Sequence, residues 1–207
     1  MRRPFLFLTH NISSKAGVIM DFKDLVKKRR TIRFYQDTKV PLSELMELIE
    51  FARFAPSGCN KQPIRYIIIN DDETVHKIFD ITRYAGLVTP RRSPEWGKNA
   101  PRNFIAVISP ADGSVVDASA AIQNILLGAT NNGLGCCWIG AFNKPEAKKI
   151  LSLDDNTQLH YLVAVGYPAE EPVYDDVNEG DEIGYYLDDN DLLHVPKIKT
   201  ADIVIVK

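Results

Sequence analysis

The sequence is poor in the residues that build disulfide frameworks and metal centres. It holds three cysteines, Cys59 and the adjacent pair Cys136 and Cys137. That number makes no disulfide framework and favours a reducing compartment, here expected to be the cytoplasm. The four histidines, His10, His76, His160 and His194, are scattered. None stands at a metal-ligand spacing from another His or Cys, so no metal is assigned. No apolar run reaches the length of a membrane-spanning helix, which argues against a membrane partner. Charge of one sign is also lacking. The 25 Lys and Arg against 27 Asp and Glu leave a net charge of -2, which gives no global pull towards nucleic acid. Any anion site must come from a local cluster. Paired carboxylates, a serine triad and a phosphate loop are absent too, and no catalytic side chain is assigned. If the chain is an enzyme, a bound cofactor supplies its chemistry.

What is present describes a globular protein. Apolar residues make up 45% of the 207, and charged residues 25%, enough to bury a substantial core in one domain. Residues 1–19, "MRRPFLFLTHNISSKAGVI", are expected to be an extension or a short arm ahead of Met20, with residues 20–207 forming one domain. A short helix is expected over 21–29, capped by Asp21, then an extended run "RRTIRFYQD". Pro41 and Ser43 open a helix that ends near Ala55. Strands are expected at 64–69, at 103–109, in "CCWIGAF" and in "HYLVAVGYP". Helices are expected in "ETVHKIFDIT", in "KPEAKKILS" and, most clearly, in "DASAAIQNILLGATNNGLG". Ala121, Ile122, Ile125, Leu126 and Ala129 share one face of that last helix, and Asn132-Gly133 ends it. Its small residues predict close packing on another helix. The tail "DIVIVK" reads as a further strand, beyond a long charged segment at 169–191. This order fits an α+β layer fold with a mixed sheet.

Four stretches could carry chemistry. "KKRRTIR" puts five cations in seven residues. If the chain is extended past Arg29, then Arg29, Thr31 and Arg33 point one way and suit a phosphate. The alternative is a solvated basic turn. "PSGCNKQP" follows a helix with hydroxyl and amide groups on Ser57, Asn60 and Gln62, which suit either a flat heterocycle or an ordinary turn. Cys59 within it has no His near in sequence and reads as a small structural residue. "GLGCCWIGAF" sets Gly133, Gly135 and Gly140 around Trp138, without the helix that a dinucleotide fingerprint requires. "LHVPKIK" places Lys197 and Lys199 on one face if extended.

Together these stretches resemble the FMN-dependent nitroreductase family. The carrying motifs are Arg29-Arg30-Thr31-Ile32-Arg33, Pro56-Ser57-Gly58-Cys59-Asn60-Lys61-Gln62-Pro63, the Gly-Leu-Gly segment running from Gly133 to Phe142, and Val165-Gly166-Tyr167-Pro168. The resemblance implies a three-layer α+β fold with a central mixed, mainly antiparallel sheet flanked by helices. It also implies a homodimer that exchanges its C-terminal arm, packs helix 118–132 at its interface and holds FMN between subunits. Arg29, Arg30, Thr31 and Arg33 would hold the phosphate and one flavin edge, with Lys197 and Lys199 completing the phosphate site. Pro56, Ser57, Gly58 and Asn60 would come from the other subunit. Trp138, Ile139 and Gly140 would lie along the ring. Thr31 departs from the family's commoner Ser but keeps the hydroxyl. Gly140-Ala141 stand where some members carry Glu-Gly.

The activity implied is two-electron transfer from NADH or NADPH to a small electron-poor acceptor such as a nitroaromatic or quinone, in ping-pong fashion. A flavin-dependent dehydrogenase, a reductive dehalogenase or a non-catalytic flavin binder of the same fold are the alternatives. The connection 83–100, with Trp96 and two arginines, reads either as a lid that selects the acceptor or as a variable surface loop.

Overall fold

The computed structural model describes residues 20–207; the expected extension 1–19 lies outside them. Helix α1 (Phe22–Lys28) begins after Asp21 and is followed by an extended run. Helix α2 (Leu42–Ala52) starts behind Pro41. Strand β1 (Arg65–Ile69), helix α3 (Asp72–Asp80) and strand β2 (Asn103–Pro110) come next, then helix α4 (Val115–Asn131) and strand β3 (Gly135–Ile139). Helix α5 (Lys144–Ile150) and strand β4 (Thr157–Gly166) complete the central unit. Side chains cap three of these helices: Asp71 accepts from Thr74 N, Ser114 from Val116 N and Asn143 from Glu146 N, the role short polar residues play at helix starts.

The central sheet has the order β1-β2-β4-β3, with every pairing antiparallel. Successive residues of β2 serve opposite faces, as the two-residue strand period requires. Ile105 and Val107 join Leu45, Leu48, Ile122 and Ile125 beneath α2 and α4. Phe104 and Ala106 join Val75, Ile78 and Ala147 beneath α3 and α5. Both faces are covered, so β2 and β4 read as unbroken apolar runs. Burying each large aliphatic side chain stabilises the fold by roughly 1.5–3 kcal/mol. The small-residue helix packs closely on α2, as expected: a methyl group added to Gly128 would meet Phe51 Cδ2 at 2.2 Å.

The extended run Thr31–Tyr35 lies along the sheet edge, with Thr31 bridged to Cys136 and Tyr35 to Pro168. Gly135 and Gly166 make this possible. A Cβ on either would meet Ile32 at 2.6 Å or Tyr35 at 2.7 Å.

The C-terminal part departs from the sequence expectation. The charged segment 169–191 contains strands β5 (Val173–Val177) and β6 (Tyr186–Leu187), which join β7 (Leu193–Ile198) in a second sheet of order β5-β7-β6. Strands β5 and β7 pair in parallel, as does the isolated Thr31–Cys136 bridge at the edge of the central sheet. The strand expected in "DIVIVK" is not formed within the chain: Thr200–Ile203 is a helical turn, α6, and Ile205 and Val206 beyond it are 85% and 89% exposed. The apolar residues that suggested a strand have no sheet edge of their own chain beside them. No helix among the described residues is long and apolar enough to cross a membrane.

Candidate functional site: a basic cluster and an amide-rich loop

The strand register fixes where the candidate residues lie. Gly135 at the start of β3 faces Gly166 at the end of β4, and Asn103 at the start of β2 faces Val165. The basic run Arg29–Arg33 sits at this end. At the opposite end, Arg65 of β1 faces Ile108, which faces Leu159. The loop Pro56–Gln62 and Gly140 sit there. One chain therefore carries the two halves of the expected site at opposite ends of its sheet.

At the basic end, Arg29, Arg30 and Lys197 converge. Burial lowers the pKa of Arg29. Burial, then the charge of Arg29, lowers that of Arg30. Partial burial, then Arg30 and Arg29, lowers that of Lys197. Lys197 thus feels Arg30 and Arg29 across a sequence gap that the second sheet closes. Arg30 stacks on Tyr174, 5.2 Å from the ring centroid, and its Nη2 donates to Lys27 O at 2.5 Å. Its buried Nε has no acceptor among the described residues. A cavity of about 1250 Å³ opens beside Arg30, walled by Ile32, Gly135, Glu170 and Tyr174. Half-buried cations gathered beside an unused buried donor are the arrangement that an anion completes, so these residues fit a phosphate group.

The other predicted cations separate. Arg33 lies over the Tyr185 ring at 4.8 Å, and Lys199 donates to Asn178 Oδ1 at 2.9 Å. Thr31 is half-buried against β3, where Ile32 N donates to Cys136 O at 2.9 Å.

The loop end is built differently. Cys59, Asn60 and Gln62 all have positive φ, at 51°, 54° and 49°. Such conformations cost about 1 kcal/mol or more each for residues with a Cβ. Ser57 Oγ accepts from Gln62 N at 3.0 Å, which leaves its own proton free to donate. Gly58 N approaches Asp117 Oδ1 at 3.4 Å. Pro56, Gly58 and Asn60 are exposed. The cavity at this loop is only about 130 Å³, well short of the roughly 300 Å³ from which small-molecule pockets start. This half cannot enclose a flat ring without material from elsewhere.

Trp138 and Ile139 alternate across the sheet. Trp138 meets Tyr161 edge-on at 5.1 Å on the α2–α4 face. Ile139 is buried on the other face, so its main chain is what it can offer a ligand. Gly140 is exposed, and an added Cβ would make no contact closer than 3.6 Å. The cysteines at β3 are inert by burial: it raises the Cys136 thiol far out of the physiological range and pushes Cys137 up to about 11.

The connection 83–100 packs against α3. Trp96 stacks on His76 at 4.2 Å and tilts against Phe79 at 5.6 Å. Arg92 turns inward, with its side chain 9% exposed, and pairs with Glu170. Sequence reasoning passed over Glu170. It lies two residues past Pro168 of the Val-Gly-Tyr-Pro motif, and that proximity is the one signal that could have drawn attention to it.

Comparison with known proteins identifies the family. The model of the Nitroreductase family matches residues 26–96 and 95–167. A Methanothermobacter thermautotrophicus protein with the provisional name NADH dehydrogenase/NAD(P)H nitroreductase is 31% identical over 176 residues, which is 79% of this chain and 86% of that protein. The iodotyrosine deiodinase of Thermotoga neapolitana is 28% identical over 73% of this chain and 91% of its own length. A provisionally named nitroreductase of Desulfovibrio desulfuricans, solved in complex with FMN, superposes with a TM-score of 0.59 at 29% identity, covering 72% of this chain and 87% of that one. On fold, sequence match and motif order, the chain belongs to the nitroreductase family.

Proposed function

We propose that this protein is an FMN-dependent oxidoreductase that passes two electrons from NADH or NADPH to a small electron-poor acceptor. The observation that carries the reading is the convergence of Arg29, Arg30 and Lys197 around an unused buried donor. Bound FMN would supply the electron transfer; the chain supplies binding, orientation and a dry wall. Arg29, Arg30 and Lys197 hold the phosphate, and Thr31 adds its hydroxyl at that end, while Arg33 and Lys199 are engaged with Tyr185 and Asn178. Pro56, Ser57, Gly58 and Asn60, at the far end of the sheet, serve a second copy of the chain in a homodimer. Ser57 donates its hydroxyl proton, and Gly58 gives the backbone room. Trp138, the main chain of Ile139 and Gly140 line the open side. The pocket admits donor and acceptor in turn, which gives ping-pong kinetics.

The test is optical. Purified protein should show bound-flavin absorbance, retained through gel filtration, that bleaches on anaerobic addition of NADH or NADPH and returns with a nitroaromatic or quinone. Colourless protein that takes up no added FMN would defeat the reading. Reductive dehalogenation is the second reading, favoured by the similarity to the Thermotoga neapolitana iodotyrosine deiodinase. Iodide release from 3-iodo-L-tyrosine under reducing conditions, at a rate exceeding quinone reduction, would select it.

A further inference from the structure

The basic run is not held in place by its own side chains. Along it, Ile32 N donates to Cys136 O, Tyr35 N to Asn99 O and Gln36 N to Tyr167 O. The two amides between, Arg33 N and Phe34 N, both find their acceptor in Glu170 Oε1. Glu170 is nearly enclosed, its side chain 5% exposed. A buried carboxylate is costly unless paired, and the paired cation comes from a third region. Arg92, in the connection 83–100, brings Nη1 to 3.6 Å from Glu170 Oε2.

Arg92 is itself pinned. Its guanidinium lies over the Phe34 ring at 5.0 Å, donates through Nη2 to the Asp191 carbonyl and sits 3.4 Å from Asp191 Oδ2. The chain of contacts thus runs from the connection through Arg92 and Glu170 to the backbone directly beyond Arg29, Arg30 and Thr31.

We propose that Glu170 is a positioning residue for the phosphate-binding cations, and that Arg92 acts on them through Glu170. This rests on the FMN reading above. The carboxylate fixes two successive amides and so fixes the direction in which the preceding arginines leave the backbone. Charge-assisted hydrogen bonds of this kind are about twice as strong as neutral ones. The connection 83–100 then governs cofactor retention from the far side of the run, without touching the cofactor.

The sign of the effect separates positioning from bulk electrostatics. Removing a negative charge near a cation cluster should tighten an anion. Removing a positioning residue should loosen it. The experiment is fluorescence-quenching titration of the flavin-free full chain with FMN and with riboflavin, which lacks the phosphate. Glu170→Ala should weaken FMN about tenfold or more while changing riboflavin less than about threefold. Glu170→Gln, which keeps an oxygen for the two amides, should recover most of the FMN affinity. Arg92→Met should weaken FMN by about threefold in the native background and add nothing in Glu170→Ala, as groups that act through one another are non-additive.

Equal losses for both flavins would reduce Glu170 to a general stabiliser and overturn the proposal. So would tighter FMN binding in Glu170→Ala, or an undiminished Arg92→Met effect in the double variant. If Glu170→Ala does not fold, Arg92→Met alone decides: unchanged FMN binding overturns the coupling, and a selective loss supports it. A native protein that binds neither flavin overturns the FMN reading and this proposal with it. A native protein that binds FMN beside indifferent variants overturns the positioning claim alone.

Discussion

The two ends of the central sheet hold their candidate residues by opposite means. The basic end is braced from a distance: Ile32 under Gly135, Tyr35 under Gly166, and Glu170 under two amides more than a hundred residues away in sequence. The loop end is braced locally. Its bonds join Ser57 to Gln62 and Gln62 to Arg65, with one long contact from Gly58 N to Asp117, and three of its residues sit at positive φ. One end is finished by its own chain. The other presents hydroxyl and amide groups outward, which suits a partner surface that completes it.

This contrast can be broken most directly by mixing chains. Arg30→Ala should lower FMN affinity about 10- to 100-fold, the cost of losing a charge-assisted contact. A chain carrying Ser57→Ala with Asn60→Ala should also lose FMN. If each site draws on both subunits, random exchange between the two variants should restore about a quarter of the native flavin sites, since half the dimers are mixed and each has one intact site. No recovery after subunit exchange would place both halves of the site within one chain.

A second comparison concerns glycine. Gly135→Ala should cost about 1–3 kcal/mol by overpacking Ile32, and flavin loss should accompany a lower melting temperature. Gly140→Ala, with van der Waals room towards Tyr161, should leave the melting temperature unchanged. Equal effects at both positions would erase the distinction between a tight end and an open one.

The smallest expected effect is on pH. The pKa of Lys197 is held below its usual 10.5 by partial burial and by Arg30 and Arg29. Its charge is present at low pH and is lost as pH rises through that lowered value. FMN affinity should therefore fall a few-fold on the alkaline side, at a lower pH than an ordinary lysine would set. Lys197→Arg should flatten this limb; a limb that persists in Lys197→Arg assigns it to another group.

Much of this was legible in the sequence where the signal is local. The face Ala121–Ile125–Ala129, the end of α4 at Asn132, and strands β2 and β4 follow from periodicity and from runs too apolar for a half-exposed strand. The motif order pointed to the basic run and the loop. The second sheet was not legible. Val173–Val177 reads "VYDDV", with Asp176 exposed and Asp175 turned to His194, and Tyr186–Leu187 is too short to carry a pattern. In the tail, apolar composition suggested a strand that its own chain does not pair. Glu170 and Arg92 were hidden for a different reason. Their meaning lies in each other and in the Arg33 amide, and no pattern of neighbours in sequence encodes a contact between remote segments.

The crowding of Arg29, Arg30 and Lys197 has a consequence for the life of the protein. Burial lowers the pKa of all three, and an anion would offset the cost of keeping them charged. Any ligand that binds the folded form alone adds stability by mass action, about 2.7 kcal/mol at a hundredfold excess over its Kd. Proteolysis and unfolding draw from the empty pool. On the FMN reading, the cellular level of this protein should then rise and fall with flavin supply, with no regulator other than mass action at this site.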